Sequence, residues 1–119
     1  MTDEVTDVRP FLPARDYEQS LSFYEALGWA RTWSDENLAV LELGNHRFYL
    51  QNYYVHAWAE NCMLHVSVGD ANAWKSKADA VIEQFPGTRA DGPRLEAYGA
   101  RVTYVWDPCG VLLHFAEWQ

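Results

Sequence analysis

Two similar halves are the feature that most constrains the fold of this chain. In each half an Asp stands just before a helix-forming segment, at Asp16 and Asp70, and a Gly follows that segment, at Gly28 and Gly87. Asp is a preferred helix N-cap residue, and Gly is preferred just after the last helical turn. The order strand, helix, three strands therefore occurs twice. The repeat predicts a single domain, residues 1–119, made of two modules at about 8–52 and 62–117.

Hydrophobic spacing sets the expected bounds within these modules. The first helix carries apolar residues at Tyr17, Leu21, Tyr24 and Leu27, and a second helix is expected from Asp70 to Gly87. Strands are expected at residues 8–13, 30–34, 38–43, 46–51, 63–68, 89–94, 100–106 and 111–117. The sequence Asp-Pro-Cys-Gly at 107–110 is typical of a turn between the last two strands.

The two-residue turn Gly44-Asn45 predicts the register of one hairpin. Leu43 should then face His46, and Glu42 should face Arg47. Alternation along the strands places Glu42, Arg47 and Tyr49 on one face, opposite the face that the helix covers. This second face is too polar for a core, and we interpret it as a pocket wall, although Glu42 and Arg47 could also form an ordinary cross-strand ion pair.

Each module alone would have one sheet face covered by its helix and one bare face. The bare faces are expected to meet or to curve around a cavity. The predicted fold class is α+β, with two βαβββ modules forming a curved mixed sheet around a concave pocket and the helices on the outer face. The 6 Trp, 7 Tyr and 5 Phe residues exceed what a small core needs. Some of these rings are expected to line a pocket or an interface.

The charge balance limits the partners that the chain can have. The formal net charge is −8, from 17 acidic and 9 basic residues. This charge argues against nucleic acid and against anionic membranes, and it favours a cationic ligand. Two cysteines give no disulfide framework, the first residues do not resemble a signal peptide, and no apolar run could span a bilayer. A cytoplasmic location is expected.

Three stretches of the chain resemble the vicinal-oxygen-chelate superfamily of glyoxalases, dioxygenases and bleomycin-resistance proteins. They are Phe-Leu-Pro-Ala-Arg-Asp at 11–16, Ser-Phe-Tyr-Glu-Ala-Leu-Gly-Trp at 22–29 and Asp-Pro-Cys-Gly-Val-Leu-Leu-His-Phe at 107–115. The resemblance is greatest to the bleomycin-resistance type. Members of that type bind drugs without a metal, in crevices formed where two subunits pair.

The resemblance also implies where a divalent metal would lie in an enzyme of the superfamily. The four ligand positions fall on Arg9, near Tyr49, on His65 and on His114. Arg9 stays protonated and cannot ligate, so the set is incomplete unless Glu42 contributes a carboxylate. A metal-dependent lyase, isomerase or dioxygenase that uses His65 and His114 with one divalent metal ion is the alternative function.

The favoured function is a homodimeric protein that sequesters a cationic or aromatic small molecule without catalysis and without a cofactor. The residues expected to bind this ligand lie on the predicted inner faces and in the aromatic connector at 52–61: Glu42, Tyr49, Tyr54, Trp58, His65, Thr103 and His114. Two plainer interpretations stay open. His65 could be a buried histidine that is hydrogen-bonded to a neighbouring strand, and His114 could simply pair with Thr103 across the last hairpin.

Overall fold

The repeat is visible at once in the order of the structural elements. The computed structural model describes residues 3–119. The first module contains β1 (Phe11–Pro13), α1 (Tyr17–Leu27), β2 (Ala30–Ser34), β3 (Leu38–Leu43) and β4 (His46–Gln51). The second contains β5 (Met63–Ser67), α3 (Ala71–Ile82), β6 (Arg89–Leu95), β7 (Ala100–Trp106) and β8 (Leu112–Trp118). The predicted α+β class with two βαβββ modules is confirmed.

Each module builds its own four-stranded mixed sheet with the same topology. The strand orders are β1-β4-β3-β2 and β5-β8-β7-β6. The first strand of each module runs parallel to the last one, and the other pairs are antiparallel. The predicted register of the β3–β4 hairpin is confirmed, because Leu43 pairs with His46 and Glu42 pairs with Arg47.

The helix starts follow the capping residues that the sequence contains. The Asp16 carboxylate accepts a hydrogen bond from the backbone N–H of Gln19, and the Asp70 carboxylate accepts from Asn72 and Ala73. The prediction that the second helix continues to Gly87 is wrong, since α3 ends at Ile82. Beyond that residue the backbone N–H groups of Gln84 and Phe85 bond to carbonyls three residues back, so the chain tightens into turns before Gly87.

One hydrophobic core joins the two modules. The helix-covered faces of both sheets contribute to it, and its largest side chains include Tyr24, Phe48 and Phe115. Trp29 of the first module lies edge-on to Trp74 of the second. Because the covered faces share this core, the bare faces of one chain do not enclose a hollow between them. They carry exposed side chains, such as Trp33 at 52% and Met63 at 62% exposure, and the face of the second sheet also has a small buried cluster of Ala100, Val102, Tyr104 and Ala116.

A short helix in the connector was not predicted. Helix α2 (His56–Ala59) follows Val55, which occupies the N-cap position without a side-chain hydrogen bond. The sequence therefore contains no capping signal for it. Among residues 3–119, no helix combines the length and the apolar character needed to cross a membrane.

Candidate functional site

The bare face of the first sheet, here called the N-terminal face, carries Glu42 and Tyr49. The Arg47 Nε lies 2.7 Å from Oε2 of Glu42, so the predicted cross-strand ion pair is present. Arg9 donates to the Tyr49 hydroxyl at 3.2 Å, and Phe11 stacks on the Tyr49 ring with a centroid distance of 4.8 Å. Glu42 is thus already neutralised by a guanidinium, and the open part of this face is aromatic.

Asp7 connects the two guanidiniums of the N-terminal face. Its carboxylate lies 2.6 Å from Nε of Arg9 and 3.8 Å from Nη1 of Arg47. The hydrogen bond from Arg9, which is the largest contribution, lowers the pKa of Asp7. The face therefore carries two cations and two carboxylates in close contact, with no net charge of its own.

The bare face of the second sheet, here called the C-terminal face, brings His65 and His114 together. The two residues are paired in register across the parallel strands β5 and β8. Side chains of paired residues point to the same side of a sheet, so both imidazoles lie on this face. Burial, and then the nearby His65, lower the pKa of His114. His114 is therefore neutral near pH 7 and contacts Sδ of Met63 at 3.3 Å.

The expected pairing of His114 with Thr103 is wrong. His114 pairs with Tyr104, and Thr103 pairs with Phe115 on the other face of the sheet. The Thr103 hydroxyl is fully buried and donates to the carbonyl of Ala71 at the start of α3. Thr103 therefore supports the helix and exposes no surface to a ligand. Tyr104 takes its place on the C-terminal face, with its ring edge-on to His114 at 5.0 Å.

Three rings form an exposed surface at one end of the C-terminal face, here called the aromatic platform: His65, Tyr98 and Trp118. The Trp118 ring lies 5.7 Å from His65 and 5.9 Å from Tyr98. Ser67 holds two of these rings in place, because its hydroxyl bonds the indole N–H of Trp118 at 3.0 Å and Nε2 of His65 at 3.2 Å. The platform is open and already oriented for stacking. His65 is exposed here, which removes the interpretation that it is a core histidine.

Tyr104 forms the closed end of the same face. Its hydroxyl donates to the carboxylate of Glu96, and the Arg94 guanidinium lies over its ring at 4.6 Å. Burial and the Glu96 hydrogen bond raise the pKa of the Tyr104 phenol, which therefore stays protonated. Arg94 also pairs with Asp91 at 3.1 Å. Arg94 thus lies between the carboxylates of Asp91 and Glu96 at this end, so free contact area remains mainly at the aromatic platform.

A cleft of about 500 Å³ lies between the two modules on one side of the molecule, and residues of both modules line it. Its floor is apolar, with Trp29, Phe48 and Trp74, and its rim is polar, with His46, Arg47 and His65. His65 is thus shared between the cleft and the aromatic platform. Concave apolar surfaces with a few polar groups are typical of small-molecule sites.

The two connector residues of the predicted set lie elsewhere. Tyr54 lines a separate depression beside the Asp107–Gly110 turn. The Trp58 ring packs near the ring of Tyr53, with 6.3 Å between their centroids. The predicted ligand residues therefore divide between the two bare faces and the connector, and one chain does not bring them all to one place.

The donor set for a divalent metal is incomplete. Residues 3–119 contain no group of three or more His, Cys, Asp or Glu side chains that could hold a metal ion. Arg9 occupies the first ligand position that the resemblance implies, and its guanidinium bonds Asp7 and Tyr49. Glu42, the possible extra carboxylate, bonds Arg47. The residues present do not fit the metal of the superfamily's enzymes.

Sequence analysis missed Tyr98, Tyr104 and Trp118 as functional candidates. Tyr104 could have been found, because a correct register of the last hairpin places it opposite His114. Trp118 stands one residue from the chain end, and Tyr98 lies in the turn between β6 and β7. Neither has a sequence pattern that marks its ring as part of a surface.

Comparison with known proteins agrees with this architecture. No family model matches the chain. A bleomycin resistance protein from Klebsiella pneumoniae is 26% identical over 125 aligned positions, which span 98% of this chain and 94% of that protein. A crystal structure of a bleomycin-binding protein complexed with bleomycin has a TM-score of 0.80 and 22% identity, covering 97% of this chain and all of the other. A glyoxalase/bleomycin resistance protein from Catenulispora acidiphila has a TM-score of 0.75 and 24% identity, with 97% and 100% coverage.

The two βαβββ modules and these likenesses define the fold that the chain shares with these proteins. The chain has the fold of the bleomycin-binding and glyoxalase/bleomycin resistance proteins, to which it is similar over nearly its whole length. In sequence, the chain is similar to a bleomycin resistance protein.

Proposed function

We propose that this protein binds and sequesters a planar aromatic, cationic drug of the bleomycin type, as a homodimer and without catalysis. The observation that carries this proposal is the aromatic platform of His65, Tyr98 and Trp118, which is exposed and fixed by Ser67. The similarity of the chain to a bleomycin resistance protein and to a bleomycin-binding protein supports the same conclusion.

Two bare faces on one chain support a dimeric site. Phe11 and Trp33 are 49% and 52% exposed on the N-terminal face, and Trp118 is 53% exposed on the C-terminal face. Exposed aromatic residues of this kind are enriched at protein interfaces and ligand sites. In the proposed dimer, the N-terminal face of one protomer lies opposite the C-terminal face of its partner. The two faces then form a crevice that a single chain does not have.

The proposed mechanism is stoichiometric binding. Planar parts of the drug stack on the aromatic platform, and the imidazoles of His65 and His114, which are adjacent in register, offer hydrogen bonds beside it. The neutral state of His114 matters because an imidazolium would repel a cationic drug. The net charge of −8 attracts the drug over longer distances, while Glu42 contributes little directly since Arg47 neutralises it.

Calorimetric titration with bleomycin tests this function. We expect saturable binding to the purified protein, and we expect Trp118→Leu to weaken it by more than about tenfold because it removes the centre of the platform. Tyr53→Leu is the matched control, since Tyr53 is 55% exposed but lies in the connector. Absence of heat with bleomycin, or equal losses in the two variants, would contradict the proposal.

A further inference from the structure

A second depression lies where the two modules join, at the turn between β7 and β8. Its volume is about 400 Å³, and it is separate from the cleft and from the aromatic platform. The first module contributes Arg15, and the connector contributes Tyr54, His56 and Glu60. The second module contributes the remaining lining: Gly87, Trp106, Pro108, Cys109 and Gly110.

Arg15 lines this depression, and Arg89 lies over the ring of Trp106, which also lines it. Arg15 and Arg89 form no salt bridge with any group in residues 3–119, whereas Arg9, Arg31 and Arg47 each pair with a carboxylate. Arg101 and Lys77 also form no salt bridge within these residues. Arg15 and Arg89 differ from Arg101 in that both lie against rings lining one depression.

Both arginines are held against rings that line the depression. The Cζ atom of Arg89 lies 3.9 Å from the ring centroid of Trp106, and the Cζ atom of Arg15 lies 5.5 Å from that of Tyr54. A guanidinium that stacks on a ring uses its face for that contact and keeps its N–H edge available. That edge matches the geometry of a carboxylate, sulfonate or phosphate group.

The rest of the lining is compatible with an anion. Cys109 is buried in the floor, and burial raises the pKa of its thiol to about 11, so it is neutral. The buried Asp107 carboxylate behind the turn is already bonded by Tyr24 and by backbone N–H groups. The one acidic side chain in the lining, Glu60, lies 3.1 Å from Nε2 of His56.

We propose that this depression binds a small planar aromatic anion, such as an aryl carboxylate or aryl sulfonate. The ring of the ligand packs on the surface formed by Tyr54 and Trp106, and its charged group bonds the guanidiniums of Arg15 and Arg89. The charge preference is opposite to that of the drug site. The depression also shares no lining residue with the aromatic platform, so the two sites can be loaded independently.

The test is ligand-observed NMR and calorimetry with 2-naphthoate. We expect saturable binding of 2-naphthoate, weaker binding of inorganic phosphate, which lacks the ring, and no binding of the naphthylmethylammonium cation at this depression. Arg15→Gln and Arg89→Gln should each weaken 2-naphthoate binding about tenfold, because each removes a charge-assisted hydrogen bond. Both side chains are exposed, so the variants should keep the wild-type thermal unfolding midpoint.

Arg31→Gln is the matched control. It removes the same charge from an exposed arginine that pairs with Glu25, away from the depression. Equal losses in Arg31→Gln and Arg15→Gln would overturn the proposal, because a general charge effect would then explain them. Unchanged binding in both Arg15→Gln and Arg89→Gln, or equal affinity for the naphthylmethylammonium cation, would also overturn it. Saturation with bleomycin should leave 2-naphthoate binding unchanged, which separates this proposal from the drug-binding function.

Discussion

The hydroxyl of Tyr24 donates a 2.6 Å hydrogen bond to Oδ2 of Asp107. Tyr24 lies in α1 of the first module, and Asp107 begins the turn between β7 and β8 of the second. Both side chains are fully buried. The other carboxylate oxygen of Asp107 accepts from the backbone N–H groups of Cys109 and Val111. One carboxylate thus closes the last turn and fastens it to the helix of the other module.

Removing this hydroxyl should destabilise the fold. Tyr24→Phe leaves a buried carboxylate oxygen without its donor, which we expect to lower the free energy of unfolding by about 1–3 kcal/mol. Urea unfolding measures this difference. Tyr17→Phe is the control, because its hydroxyl donates to the carbonyl of Asp35 in a partly buried contact and should cost less. Equal stability of wild type and Tyr24→Phe would show that the contact does not join the modules.

The buried Asp107 should make stability depend on pH. Burial raises the pKa of its carboxyl from 3.8 to about 6, although its hydrogen bonds oppose the shift. A pKa raised on folding means that the folded state binds the proton more tightly than the unfolded state. This stabilisation is fully present below the unfolded value of 3.8 and is lost as the pH rises through about 6.

Asp107→Asn isolates that contribution because it keeps the shape and a hydrogen-bond acceptor but cannot titrate. Relative to this variant, wild type should lose up to about 3 kcal/mol of unfolding free energy between about pH 4 and pH 8. Denaturant unfolding of both proteins across this range cancels the contributions of the other carboxylates. A constant difference between the two proteins at all pH values would contradict the raised pKa.

The drug site should respond to the charge of His114. Burial and the adjacent His65 lower the pKa of His114, so bleomycin affinity should stay constant down to the ordinary value of 6.5 and fall at lower pH. The other polar groups facing this imidazole are His65, Glu96 and Tyr104, and the Tyr104 phenol stays protonated because burial and its hydrogen bond to Glu96 raise its pKa. In His114→Gln, bleomycin affinity should fall much less at low pH than in wild type, as measured by calorimetry at a series of pH values. A decrease of the same size in this variant would assign the effect to another group.

Releasing the carboxylates of the N-terminal face should strengthen cation binding. Arg47 lies 2.7 Å from Glu42 and 3.8 Å from Asp7. Arg47→Gln would free Glu42 and weaken the hold on Asp7, and we expect bleomycin affinity to rise by about three- to tenfold. Added salt should remove most of this gain. Arg31→Gln changes the net charge equally and should raise affinity less, since Arg31 pairs with Glu25 at a distance from the face.

Local sequence signals were sufficient to predict every strand, the two long helices and the register of one hairpin, but not the short helix α2 or the end of α3. The Gly44-Asn45 turn fixed the β3–β4 pairing because a two-residue loop allows little else. The last hairpin was misaligned by one residue, so that Thr103 rather than Tyr104 was expected opposite His114. Its loop holds five residues and is closed by the hydrogen bond from Asp107 N–H to the Val111 carbonyl. The residue types in this loop do not determine its length, so the register of the last hairpin could not be predicted from them.

The relation between the two modules could not be predicted from the sequence. Hydrophobic alternation shows that each sheet has a covered and a bare face, but it does not show which faces meet. The contact of Tyr24 with Asp107 spans 83 positions of the chain. The shared core, the outward bare faces and the pairing of Arg15 with Tyr54 all depend on contacts of this long-range kind.

The most direct measurement is a bleomycin titration followed by sedimentation of the saturated protein. The account predicts a dimer that binds two drug molecules, with a large loss of affinity when Trp118 is replaced by Leu. A monomer that binds the drug with full affinity, or a dimer that binds none, would contradict it.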